Sequence, residues 1–290
     1  MHKGIPKPIR RSALRRYLGH RYYAWKRYAL WARMRGSFCT ERRKEDLPYA
    51  AAEHQTPLVR NLKSVDMWMQ RNKVVNLQKA VPHIDGILIR PGQTFSYWFL
   101  IRKPTKRKGY LPGMILRNGQ VVSGVGGGLC QLSNLIFWMA IHTPLTVVER
   151  HRHGYDVFPD SNRTQPFGSG ATCFYPHGDL MLRNDTDNTY QIRVEVGPEF
   201  LRGSIRCDIP PSRKYEIVEK NHRIEDTWWG GYCRHNELYQ QVYDGGGTLL
   251  SERLIVANDA IMMYSPLLEN SDSNADPSAT TPCPERRKST

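Results

Sequence analysis

The stretch Ser123-Gly124-Val125-Gly126-Gly127-Gly128-Leu129-Cys130-Gln131-Leu132-Ser133-Asn134 concentrates the residue types that can do chemistry. Three consecutive glycines lose much chain entropy on folding. They fit a turn with positive φ, or a place where another group approaches the main chain closely. A helix is expected to follow directly, so its first N–H groups lack intrahelical partners and the positive end of its dipole faces the loop. At that helix start Cys130 is expected to favour thiolate over thiol. The same N–H groups would stabilise an oxyanion or hold a bound anion. Gly126, Gly127, Gly128, Gln131, Ser133 and Asn134 are therefore the candidate ligand-binding residues.

A cysteine nucleophile needs a base. His151 and His153 follow on the next expected strand, and a helix packed on that strand would bring one of them beside Cys130. Cys130 as nucleophile and His153 as base form the candidate catalytic pair, of the kind that transfers acyl groups or hydrolyses amides. Asp156, Asp160 and Asp179 are equivalent candidates for an orienting third group. A loop that binds an anion without chemistry, and a small thiol filling a tight corner, are the other two readings of the same residues.

Six cysteines, Cys39, Cys130, Cys173, Cys207, Cys233 and Cys283, are widely spaced with no Cys-x-x-Cys pair. The first residues lead into arginines and not into an apolar leader, so free thiols in a reducing, cytoplasmic compartment are expected. His151-x-His153 and Cys233-x-His235 each set two metal-capable side chains on one face of an extended strand. Neither spacing matches a standard zinc module. No metal and no cofactor is expected.

The elements that must position these groups read as follows. Leu58–Val81 has helical character, and Leu129–His142, with Leu132, Leu135, Ile136 and Met139 on one face and Pro144 after it, is the best internal helix. Residues 85–101 read as a hairpin around Pro91-Gly92, and 114–122 as a hairpin around Asn118-Gly119. Tyr190–Val196 alternates apolar and polar, the pattern of a half-buried antiparallel strand. Segments near 180–182, 204–209, 215–218, 238–243 and 249–256 add strands. The expected fold is α+β, mainly antiparallel strands and hairpins packed with a buried helix after the glycine loop. Residues 265–290, rich in Ser, Pro, Asn, Asp and Thr, have little to bury and are expected to be disordered.

The chain of 290 residues carries +15, but unevenly. Residues 1–44 hold 14 Lys and Arg against Glu41 alone, a net +13, and the rest of the chain carries +2. Residues 9–34 read as a basic helix with an aromatic stripe, the composition of a helix lying on an anionic membrane surface. Docking on its own domain, with the charges solvated, is the alternative. Nucleic acid would attract the same charges, but no recognised nucleic-acid motif accompanies them. Residues 45–57 read as a polar, proline-bounded linker, which makes 1–44 an arm separable from a domain at 58–264. No stretch reaches the roughly 18–20 apolar residues of a membrane-spanning helix.

The run Gly126-Gly127-Gly128-Leu129-Cys130-Gln131-Leu132-Ser133-Asn134-Leu135-Ile136-Phe137-Trp138, followed by His142-Thr143-Pro144-Leu145-Thr146, resembles the VanW family. The likeness extends to Pro91-Gly92-Gln93-Thr94-Phe95-Ser96-Tyr97-Trp98, to Glu149-Arg150 with His153, to Arg183-Asn184-Asp185-Thr186-Asp187 and to Arg234-His235-Asn236-Glu237, roughly residues 58–264 in all. The family usually carries Asp-Ala-Thr where this chain has Gly170-Ala171-Thr172, so an orienting acid at that place would be missing here. The chain resembles the short form of the family, without wall-associated domains. VanW proteins are named for their place among glycopeptide-resistance genes. The resemblance thus implies an accessory protein linked to the cell envelope, with an envelope-related small molecule or protein as partner, and the basic arm adds the expectation of a peripheral place at the inner membrane face.

Overall fold

The computed structural model describes residues 11–60, 66–117, 119–157 and 165–265. In chain order these hold helix α1 (Ala13–Arg33), strand β1 (Tyr49–Pro57), helix α2 (Met67–Ala80), strands β2 (Ile87–Ile89) and β3 (Thr94–Ser96), and the short helix α3 (Tyr97–Ile101). The hairpin β4 (Pro112–Arg117) and β5 (Gln120–Val125) leads into helix α4 (Cys130–Ala140) and strand β6 (Thr146–Glu149). Strands β7 (Tyr155–Asp156), β8 (Met181–Arg183), β9 (Tyr190–Val196) and β10 (Phe200–Cys207) precede three long strands, β11 (Lys214–Asp226), β12 (Tyr232–Tyr243) and β13 (Leu249–Met262). The fold is α+β with antiparallel sheets, as the alternation and turn residues imply.

The first sheet runs β1-β10-β9-β2 and is antiparallel throughout. Tyr190, Ile192 and Val194 of β9 face the core, as their alternation requires. Helix α4 lies on this sheet against β1 and β10, and buries Leu132, Leu135, Ile136, Phe137 and Met139. A second sheet, β11-β12-β13-β7, is antiparallel except for the short parallel pairing of β13 with β7. Strands β3, β8 and β6 make a third sheet.

Three expectations need correction. Residues 49–57 form no linker: β1 pairs along its length with β10, from Tyr49 opposite Cys207 to Pro57 opposite Phe200. Its sequence, Tyr-Ala-Ala-Ala-Glu-His-Gln-Thr-Pro, lacks alternation because an edge strand is held mainly by its main chain. Residues 85–101 do not close a hairpin either. β2 joins the first sheet and β3 the third, and the chain from Tyr97 to Ile101 turns helical under a Ser96 cap that accepts from the Phe99 N–H (3.2 Å).

The arm, finally, is not separable at residue 44. Trp31, Phe38 and Cys39 belong to the main core. Trp31 meets the Phe99 and Tyr175 rings, each with centroids 6.1 Å away, and Phe38 stacks on Phe99 at 4.6 Å. Residues 265–290 are expected to be disordered on composition, but only Ser265 of that segment lies among the described residues.

Candidate functional site

The glycine loop joins β5 to α4, and its geometry explains the three glycines by close approach. A Cβ on Gly127 would stand 2.1 Å from the carbonyl carbon of Gly113 in β4, so the two main chains touch where any side chain would part them. At Gly128, with φ +90°, a Cβ would meet the Lys73 side chain of α2 at 2.2 Å. The fully buried Asn76 of α2 ties the corner together. Its Nδ2 donates to the carbonyls of Gly127 (2.9 Å) and Leu111 (3.0 Å), and its Oδ1 accepts from the Leu111 N–H (2.8 Å).

The loop N–H groups are not offered to a ligand. Those of Gly126, Gly127 and Gly128 donate to the carbonyls of Leu111 (3.0 Å), Gly124 (3.0 Å) and Met114 (2.9 Å). The oxyanion cradle expected from Gly126–Gly128 is therefore filled by the protein's own backbone. A hydrogen-bonded N–H has no second proton to give.

Cys130 stands at the first position of α4, as expected, yet its thiol faces the fold. The Sγ donates to the Cys173 carbonyl at 3.4 Å. Burial pushes its pKa up, against weaker lowering by its backbone hydrogen bonds. The expectation of a stabilised thiolate is corrected here: desolvation outweighs the helix terminus. Among the described residues no hydrogen bond joins Cys130 to His153. His153 is half-buried, and burial followed by the charge of Arg152 lowers its pKa.

The other residues of the run act as staples to the irregular segment 170–173 and to the end of β1. Ser133 Oγ donates to the Ala171 carbonyl (2.6 Å), and Asn134 Oδ1 accepts from the Ala171 N–H (2.8 Å). Gln131 Nε2 donates to Thr56 Oγ1 (2.9 Å) and the Pro57 carbonyl (2.8 Å). At Gly170 a Cβ would stand 2.7 Å from Asn134 Oδ1, so this chain's glycine suits that packing. Taken together, Cys130, Ser133 and Asn134 direct their polar atoms at main chain, and Gln131 divides its amide between main chain and the Thr56 hydroxyl.

Among the described orienting candidates, Asp156 and Asp179 each have partners other than His153. Asp156 pairs with Arg234 (3.6 Å) and accepts from the Tyr264 hydroxyl (2.9 Å), and Asp160 lies outside the described residues. Asp179 is fully buried, and burial raises its pKa to about 6 although it accepts from Ser96 Oγ (2.5 Å) and the Trp98 N–H (2.9 Å). The Cys233-x-His235 pair is likewise engaged. Cys233 donates to the Ala260 carbonyl (3.1 Å), and His235 pairs with Asp259. Among the described residues no three His, Cys, Asp or Glu side chains converge as a metal site would require, and Cys39, Cys130, Cys173, Cys207 and Cys233 are free thiols.

One charged cluster escaped the sequence reading. Glu149, at the end of β6, accepts from Arg27 Nη1 (2.9 Å) and from the Asp179 N–H (3.1 Å), and its Oε1 lies 2.7 Å from His151 Nε2. Burial raises the Glu149 pKa, but His151 and Arg27 outweigh it and the carboxyl titrates below its ordinary range. Arg27 also donates to the His177 carbonyl (2.8 Å). The available signal was Arg27 standing one helical turn before Trp31, on the face of the arm that packs inward.

Comparison with known proteins supports the family named by the resemblance. The family described as VanW like protein matches residues 72–206. The vancomycin B-type resistance protein VanW of Enterococcus faecalis is 37% identical over 229 residues, which cover 79% of this chain and 83% of that protein. An uncharacterized protein of Bacillus subtilis, YoaR, is 28% identical over 150 residues, 51% of this chain and 48% of that one. No solved structure matches the chain. The chain belongs to the VanW family.

Proposed function

We propose that the chain is an accessory protein of the cell envelope, serving the vancomycin-resistance setting that its Enterococcus relative is named for, and that it acts by binding and not by Cys–His acyl chemistry. The observation that supports this reading is the Cys130 thiol, which donates to the Cys173 carbonyl and not to an imidazole, with burial pushing its pKa up. We place it in the cytoplasm. The free thiols of the described cysteines support a reducing compartment.

The test is complementation. In a strain whose own VanW relative has been deleted from an inducible vancomycin-resistance cluster, growth in vancomycin is measured with this chain, with Cys130→Ser and with His153→Ala. The reading expects both variants to restore growth as the parent chain does. Restoration by the parent alone, with both variants folded, would assign Cys130 and His153 to catalysis. Failure of the parent chain itself would remove the resistance setting.

A further inference from the structure

Helix α1 has two faces with different duties. Its inner face carries Arg27, 7% exposed and paired with Glu149, and Trp31, 5% exposed in the core. These contacts fix the helix to the domain along its second half. The outer face is the unusual one. Leu14 is 67% exposed, Leu18 56% and Trp25 68%. At 3.6 residues per turn these three fall within about 40° of one another, roughly 140° from the Arg27–Trp31 face. Tyr22 continues the same stripe and is also exposed.

Basic side chains border this stripe. Arg15, Lys26 and Arg33 share one flank within about 20°, and Arg21 lies on the other. All four are exposed, and no acidic residue occurs between positions 11 and 40. The helix has 21 residues, about 31 Å of length, and no helix among the described residues is long and apolar enough to cross a membrane.

We infer that the outward face of α1 is a docking surface for an anionic lipid bilayer, on which the helix lies flat while its inner face holds the domain. Trp25, Leu14 and Leu18 enter the boundary between headgroups and acyl chains. Arg15, Arg21, Lys26 and Arg33 extend their stems along that boundary to reach the phosphates. Charge complementarity selects this occupant. A second copy would set one cationic face against another. A nucleic acid would meet the arginines but leave Leu14 and Leu18 without an apolar partner. The inference goes beyond the proposed function and does not depend on Cys130.

The full-length chain is sedimented with phosphatidylcholine vesicles, with and without phosphatidylglycerol, across a range of salt. Binding is expected only where phosphatidylglycerol is present, and it should weaken as salt rises. Replacing Arg15, Lys26 and Arg33 together by Gln should weaken it about a hundredfold. The pair Leu18→Glu and Trp25→Glu should weaken it roughly tenfold or more. Both variants leave Arg27 and Trp31 in place, and unchanged melting curves would confirm the fold. Equal binding to neutral vesicles, or binding indifferent to both variants, would overturn the inference. So would tighter binding to duplex DNA that survives Leu18→Glu with Trp25→Glu, or a dimer that this pair abolishes.

Discussion

Arg27 of α1 and Glu149 at the end of β6, 122 residues apart in the chain, form a partly buried ion pair that fastens the basic arm to the domain. Glu149 has two further partners in His151 and the Asp179 N–H, so Arg27 closes a charged cluster that would otherwise keep an anion under partial burial.

Removing Arg27 leaves the half-buried Glu149 carboxylate with His151 and the Asp179 N–H but without its guanidinium. Arg27→Ala should therefore lower stability by about 3 kcal/mol, whereas Arg16→Ala, on an exposed position of the same helix, should change it by less than about 0.5 kcal/mol. Thermal melting compares the two. Deletion of residues 1–44 should go further and broaden or abolish cooperative unfolding, because Trp31, Phe38 and Cys39 leave the core with it.

Asp179 gives the fold a pH dependence of defined sign. Folding raises its pKa from 3.8 to about 6 through burial, so the fold favours the protonated acid. Its stabilising contribution is complete below about pH 4 and is lost as pH rises through 6. Subtracting the melting temperatures of Asp179→Asn from those of the parent chain between pH 4 and 7 isolates this group. The difference should fall as pH rises. A flat or rising difference would show that the hydrogen bonds from Ser96 and Trp98 outweigh the burial.

Gly127 tests the steric account of the glycine loop. In Gly127→Ala the new methyl group would meet the Gly113 main chain, which cannot rotate away, and stability should drop by about 3 kcal/mol. Gly245→Ala, where a Cβ meets nothing within 4 Å, should be nearly neutral. Chemical denaturation of both variants gives the comparison. Equal stability would mean that the loop is not packed as described.

Much of the scaffold was legible because its residues carry local signals. The apolar face of 129–142 gave α4, the alternation at 190–196 gave β9, and Asn118-Gly119 marked the turn between β4 and β5. What escaped was set by distant partners. β1 has no pattern of its own and exists because β10 offers it a ladder. Tyr97–Ile101 reads as a strand by composition, yet it turns helical beneath the Ser96 cap. At the candidate site, position was legible and environment was not. A cysteine after three glycines at a helix start was read correctly from the chain. That Gly126–Gly128 spend their N–H groups on Leu111, Gly124 and Met114, and that the thiol meets the Cys173 carbonyl, depends on segments the local sequence does not name.

The most direct test of the binding-without-catalysis account is the alkylation rate of Cys130 at neutral pH, followed by mass spectrometry on folded and denatured protein. A free thiol with pKa near 8.5 is only a few per cent thiolate at pH 7, and burial in the fold lowers that fraction further. The account predicts that Cys130 reacts at least about tenfold more slowly in the folded chain than in the denatured one, and that His153→Ala leaves the folded rate unchanged. A Cys130 that reacts faster folded than unfolded, and slows when His153 is removed, would contradict it.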